Sequence, residues 1–349
     1  MYKAIRYIGS KQKVLQFLDS TLSGYIKPGD RFFEAFAGTG IVSQHFSEKY
    51  NLNLCGGDIS KYSKTLYMIL NFKEAFQDLS FFWTCIDEII NHPKKPGFFV
   101  QEFSLSGSPQ NFPTARNFFH VKSAETIDSF KDYVKTNTQL TPLQKDVLLF
   151  FLLAYSCKNA NTTSVFGAFL KTPPKHLPFT RSFCEHIVKS IQTLHPASEA
   201  RFYEGHVLTN LDRIEPQQLI YMDPPYSTRK YESNYHILNY VVDLDFQPSM
   251  IKENSKTALP KIQIENPFGS KKGTEQIFKD MILKGAQKSR VLAISYNTDG
   301  LIQEEWVNSF CQEQQLSLIT HKLDYKRFKS NNNAVNTKPL EEILWIIQK

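Results

Sequence analysis

Two prolines, Pro224 and Pro225, follow directly on the apolar run LIYM at 219–222, with Asp223 between. Adjacent prolines remove two backbone donors and fix φ twice, so no strand continues through them. The run must therefore end as a strand at Asp223. Upstream, the apolar stretch RFFEAFAGTG at 31–40 runs into Gly38 and Gly40, and a helical pattern follows. NLNLCGGDIS at 51–60 is a second strand, ending at Asp58, and SKYSKTLYMILNF is again helical. Short apolar strands alternating with helices predict an α/β sheet domain.

The pattern changes between about 76 and 205. Helical stretches such as TIDSFKDYVK and PLQKDVLLFFLLAYS surround a polar segment rich in Pro and Gly. Strand character returns at QQLIYMDPPY, RVLAISYNTDG, LSLITHKLDY and EEILWIIQK. The expected organisation is a sheet domain from 1–75 and 206–349, interrupted by a mainly helical insert at 76–205.

The glycine turn is neither a dinucleotide fingerprint nor a phosphate loop, since it lacks GxGxxG and no Gly-Lys-Ser/Thr follows. Alone it is equally an ordinary strand-to-helix turn. Asp58, at the end of the next strand, suits two ribose hydroxyls, or else caps the helix that follows. Together the two features favour an adenosine-bearing ligand without a pyrophosphate, of which S-adenosyl-L-methionine is one.

The turn at 223–226 carries its own chemistry. Asp223 and the Pro224 carbonyl are both acceptors held at a sheet edge. An aromatic amine presents two N–H donors, and its lone pair is delocalised into the ring. Holding both hydrogens frees that lone pair for attack on a methyl sulfonium, and Asp223 stabilises the charge that develops. Tyr226 offers a flat face for a base. Read without context, the same four residues are also a plain turn after a strand.

Charge bears on the partner. The 349 residues include 41 Lys and Arg against 34 Asp and Glu, and a net charge of +7 favours a polyanion. Lys171, Lys326, Arg327 and Lys329 are candidate phosphate contacts or else solvated surface charges. Arg229 and Lys230 follow the catalytic turn, and with Asn234, Tyr235 and His236 are candidates to order a loop over a flipped base; His236 is equally a structural histidine. Five dispersed cysteines form no close pair, which fits a reducing compartment and gives no zinc pattern. No metal is expected. The opening MYKAIRYIGSK lacks a signal peptide's apolar core, and VLLFFLLAY at 147–155 is too short to span a bilayer. A soluble cytoplasmic protein, away from membranes, is expected.

With these residues in place the chain resembles the Dam-like class of adenine-N6 DNA methyltransferases over nearly its whole length. The likeness rests on Tyr7-Ile8-Gly9-Ser10-Lys11, with Ser10 where the family carries a second glycine, on the FxGxG turn from Phe36 to Gly40, on Asp58 within DIS, and on Asp223, Pro224, Pro225 and Tyr226. The resemblance implies a Rossmann-like, S-adenosyl-L-methionine-dependent methyltransferase sheet with an inserted target-recognition domain. It implies cofactor contacts from Tyr7, Gly9 and Lys11, from Phe36, Ala37, Gly38, Thr39 and Gly40, from Asp58 and Ile59, and from Asp212 and Asp223. It implies methylation of adenine in double-stranded DNA by a monomer, beside a separately acting restriction endonuclease. Rival readings are weaker on the residues. Amino methylation of cytosine goes with Ser-Pro-Pro, protein-amide methylation with Asn-Pro-Pro, and cytosine-C5 chemistry with a Pro-Cys nucleophile absent here. An idle DNA-binding protein would not need Lys11, Asp58 and Asp223 together.

Overall fold

The structure, a computed structural model, describes residues 9–71, 79–192, 199–226, 232–262, 267–325 and 340–349. It is a mixed α/β fold that divides into two compact units. One comprises Lys11–Ile59, Glu199–Lys230 and Glu265–Lys349; the other comprises Met1–Ser10, Ser60–Ser198 and Tyr231–Ile264.

The first unit is built on a seven-stranded sheet. Its strands are β1 (Arg31–Glu34), β2 (Asn53–Asp58), β3 (Ala200–Glu204), β4 (Gln217–Met222), β5 (Ser289–Asn297), β6 (Ser317–Tyr325) and β7 (Leu340–Gln348). The order across the sheet is β3-β2-β1-β4-β5-β7-β6. The first five run parallel, and β7 lies antiparallel between β5 and β6. β1 and β4 are buried along nearly their whole length rather than at alternate residues, as strands covered on both faces are. From β1 the chain winds outward through β2 and β3, then crosses back to β4 and winds the other way. Their junction is the topological switch point, where loops diverge and leave a crevice. In register, Glu34 stands beside Tyr221, and the Ala35 N–H donates to the Tyr221 carbonyl at 2.9 Å. The glycine turn and the proline turn therefore leave the sheet side by side.

Helices Leu15–Leu22, Ile41–Tyr50, Val207–Arg213, Lys271–Lys288 and Glu304–Glu313 belong to this unit. The longest, Lys271–Lys288, is capped by Ser270, whose hydroxyl accepts from the Gly273 N–H at 3.1 Å. Ile277, Phe278, Met281 and Ile282 are its buried stripe, at the spacing of one helical face. A Cβ on its Gly285 would lie 2.9 Å from the Leu292 methyls and 3.0 Å from the Met222 methyl, so the glycine lets the helix sit close to β4 and β5 without these side chains shifting.

The second unit is helical among its described residues, with helices Lys61–Asn71, Leu79–Asn91, Phe98–Phe103, Val121–Thr136, Pro142–Asn159, Arg181–Ile191 and Glu232–Val242. Pro142–Asn159 starts with a capping box between Thr141 and Gln144 and is buried from Val147 to Ser156. Phe99, Phe103, Phe118, Phe130, Phe150 and Phe151 fill the core around it. Arg116 is fully buried against Glu102 and donates to the Ser255 carbonyl at 2.9 Å. Among the described residues no helix is long and apolar enough to cross a membrane. All five cysteines are free.

These units cut the chain at different places from the boundaries 75/76 and 205/206. Ser60 onward and Tyr231–Ile264 join the helical unit, and 200–204 returns to the sheet as β3. Linear position grouped those segments differently; packing partners decide.

Candidate active site

The turn after β1 needs its glycines. Gly38 and Gly40 have φ of 51° and 71°, in the left-handed region that favours glycine, and Gly40 leads straight into helix Ile41–Tyr50. The turn is tied to the end of β2 by two bonds: the Ala37 N–H donates to the Gly57 carbonyl, and the Gly38 N–H to Asp58 Oδ2, each at 2.9 Å. Asp58 is half-buried at that strand end, with Ile59 exposed beside it. Phe36 packs edge-on to Phe268 with centroids 6.1 Å apart, Ala37 is buried and Thr39 half-buried. Beneath the turn, Glu34 is buried and accepts from the Ser43 N–H at 3.0 Å. Burial pushes its carboxyl up to about 8, against the Ser43 hydrogen bonds that favour the charged form.

At the neighbouring strand end, Asp223 and Tyr226 meet a lysine and a second acid. Lys11 lies 3.1 Å from Asp223 Oδ1 and donates to Glu342 Oε1 at 2.6 Å. It also reaches the Tyr226 hydroxyl. That hydroxyl donates to Asp223 Oδ1 at 2.6 Å, and Ser295 Oγ donates to Glu342 Oε1 at 2.6 Å. The Tyr226 ring stands edge-on to Tyr296, centroids 4.9 Å apart, which fixes its plane. Burial opposes the charge on Lys11, but Asp223 and Glu342 outweigh it and its pKa sits above the ordinary lysine value. Burial raises Asp223 to about 6; Lys11 pulls it back, Glu342 adds to the rise, and the Tyr226 hydrogen bond opposes it. Tyr226, half-buried beside two acids and largely removed from water, stays protonated far above its usual range. A carboxylate kept ionised at neutral pH, yet more basic than usual, is suited both to holding an N–H and to taking a proton.

The structure thus brings Lys11, Asp223 and Tyr226 together, with Pro224 buried and Pro225 half-buried between the last two. Separately it gathers residues 36–40 around Asp58. Lys11 gives its ammonium to two protein carboxylates, Asp223 and Glu342. Gly9, with φ of 82°, stands two residues before Lys11. Asp212 is not brought to either group. It lies at the far end of helix Val207–Arg213, exposed and paired with Lys284, while the helix start adjoins Asp58 through the Gly205 N–H to Asp58 carbonyl bond at 2.9 Å.

The candidates in the helical unit separate by burial. Lys171 is exposed. Asn234 is half-buried, its carbonyl accepting from the Phe166 N–H at 2.8 Å. Tyr235 and His236 are core side chains, not surface groups placed to meet DNA. Tyr235 lies against Tyr62, and His236 sits between the Ser233 and Thr257 carbonyls. Both fall on the inward face of helix Glu232–Val242, which their polar side chains disguised. Tyr7, Arg229, Lys230, Lys326, Arg327 and Lys329 lie outside the described residues. Among the described residues no group of three or more His, Cys, Asp or Glu is arranged to hold a metal ion. Three site residues were missed in the sequence: Glu34, Ser295 and Glu342. The one available signal was an acid inside an otherwise apolar strand, as in LEEILWIIQ.

Comparison with known proteins agrees with this geometry. Residues 7–290 match the family described as D12 class N6 adenine-specific DNA methyltransferase. The chain is 26% identical over 361 residues to the type II methyltransferase M.NlaIII of Neisseria lactamica, covering 99% of each. It is 28% identical over 355 residues to the type II methyltransferase M.CviAII of Paramecium bursaria Chlorella virus 1, covering 98% of each. Against the type II methyltransferase M.FokI of Planomicrobium okeanokoites it is 25% identical over 99% of its own length, but spans only 53% of that protein. The family match runs through both the glycine turn and the Asp-Pro-Pro-Tyr turn, and the chain belongs to the D12 class of N6 adenine-specific DNA methyltransferases.

Proposed function

We propose that the sheet unit binds S-adenosyl-L-methionine at residues 36–40 and 58–59 and methylates the N6 amino group of an adenine flipped out of duplex DNA, held at 223–226. The observation that carries this reading is the Lys11–Asp223–Tyr226–Glu342 cluster, its lysine and glutamate buried and its aspartate and tyrosine half-buried, set at the switch point of the sheet one strand from the glycine turn. Crevices at such points are where open parallel sheets take nucleotide-like ligands. The donor set suits this cofactor: two left-handed glycines leave backbone uncovered, Asp58 supplies acceptors for a ribose, and exposed Ile59 an apolar surface for an adenine ring.

When bound, the cofactor supplies a methyl on a positively charged sulfur, already activated for transfer. The protein's part is to prepare the amine. Asp223 and the Pro224 carbonyl accept its two hydrogens, which localises the nitrogen lone pair. Asp223 then takes the proton that the methylated nitrogen must lose, a role helped by its raised pKa. Tyr226 gives a ring face for the base, its plane set by Tyr296. Flipping costs a few kcal/mol of unstacking, and stacking on a fixed ring returns part of it.

We take the helical unit to be the target-recognition domain, and the fold to be the Rossmann-like methyltransferase sheet. The relatives' names, type II methyltransferases, support a role as the modification methylase of a restriction system; we take it to act as a cytoplasmic monomer apart from its endonuclease. The test is single-turnover methyl transfer to a duplex substrate by Asp223→Asn, beside its duplex-binding isotherm. The expected loss is about 100- to 1000-fold in rate, as for removal of one well-placed electrostatic group, with binding little changed because phosphate contacts dominate affinity. Near-normal transfer would remove Asp223 from the mechanism.

A further inference from the structure

We propose that Glu342 is a positioning residue for methyl transfer: by sharing the Lys11 ammonium, it keeps the Asp223 carboxylate from being neutralised. This rests on the role of Asp223 given above. Glu342 sits on β7, opposite Asn297 at the end of β5, and is buried. Its Oε1 takes the Lys11 ammonium at 2.6 Å, closer than the 3.1 Å from that ammonium to Asp223. Ser295 holds the same oxygen at 2.6 Å. One cation thus stands between a buried and a half-buried carboxylate, and the cluster carries a surplus negative charge.

Packing alone gives no reason for the second acid. A buried ion pair is costly to assemble, and an extra unneutralised charge makes it costlier. One carboxylate would satisfy one lysine. A surplus of negative charge is what an amine needs while its nitrogen becomes positive. The groups facing Asp223 are Lys11 from the first turn of the unit, Tyr226 from its own turn and Glu342 from β7; Glu34 from β1 and Tyr221 from β4 also feel its charge. Of these, only Lys11 is a cation. Without the Glu342 charge, Lys11 belongs to Asp223 alone and makes it a weaker acceptor and a weaker base.

The proposal has a signature that loss of structure does not produce. In Glu342→Gln, kcat at neutral pH should fall about tenfold, less than for a group touching the reacting atoms, while the KM for DNA stays near its starting value. The acid limb of the kcat profile should move to lower pH, because a carboxylate left with its lysine is harder to protonate. Glu342→Asp, with the charge kept but drawn back by one methylene, should lie between the two in both measures, and replaces the glutamine variant if that one does not fold. The full chain is used, with thermal melting and Asp223→Asn measured alongside. A kcat unaltered in both Glu342 variants overturns the proposal. So does a fall in kcat with the acid limb unmoved, which assigns Glu342 to support of the fold. Near-normal transfer by Asp223→Asn instead defeats the underlying reading of Asp223, whatever Glu342 does.

Discussion

Glu34→Gln tests how the glycine turn is anchored, through the pH dependence of stability. Glu34 is buried at the end of β1, and burial raises its carboxyl from the ordinary 4.5 to about 8. The folded state therefore keeps a proton that the unfolded chain gives up. The sign follows: stability from this group is complete below pH 4.5, declines as pH rises, and is lost by about pH 8. At about 1.4 kcal/mol per pH unit the whole interval is worth at most about 5 kcal/mol. Glutamine has the same shape, keeps an oxygen for the Ser43 N–H and cannot ionise, so its stability should not fall across this range on account of residue 34. Urea unfolding of both proteins at pH 5, 7 and 8.5 reads the difference. The two curves should nearly coincide at pH 5 and diverge by about 2–5 kcal/mol at pH 8.5 in favour of the variant. Asp128, raised to about 6, titrates in both proteins and cancels in the comparison; Asp223, whose charge Glu34 feels, cancels only in part. Parallel curves across the range would refute the buried, protonated state of Glu34.

Asp58→Ala should weaken S-adenosyl-L-methionine binding by about 10- to 100-fold, the worth of hydrogen bonds to a charged acceptor, measured by calorimetry; unchanged affinity would exclude the ribose role. Because Asp58 also holds the Gly38 N–H at 2.9 Å, a modest fall in melting temperature should accompany the loss. In the helical unit, Arg116→Met leaves Glu102 buried without its cation and should cost about 3–5 kcal/mol in denaturant unfolding; a change below 1 kcal/mol would mean that the pair is solvated.

How much of this was legible in the sequence depended on what makes each element. The prolines and glycines declared themselves, because their backbone restrictions hold in any context: β4 ends at Met222, and the left-handed turn falls at Gly38 and Gly40. Short clusters of apolar residues mark β1, β2, β5 and β7. The edge strand β3, ARFYE, carries mixed polarity and merges in the sequence with the segment before it. Tertiary partnership was harder to read. Helix Glu232–Val242 comes soon after the Asp-Pro-Pro-Tyr turn in sequence, yet its buried Tyr235, Ile237 and Leu238 pack in the helical core. Asp212 was implied only by the family resemblance; it lies at the opposite end of helix Val207–Arg213 from Asp58. Glu342 lay hidden because its partner, Lys11, is 331 residues away.

That separation has a consequence for how the enzyme is made. At roughly 5–20 residues per second, ribosomal synthesis of the stretch from Lys11 to Glu342 takes about 15–70 s. Until β7 is threaded between β5 and β6, Lys11 has only Asp223 and Tyr226 to hold it, and the central sheet lacks the strand that joins its last two members. A nascent chain already carrying the glycine turn and the Asp-Pro-Pro-Tyr turn is thus an unfinished catalyst. Its central sheet is completed only when β7 has been made.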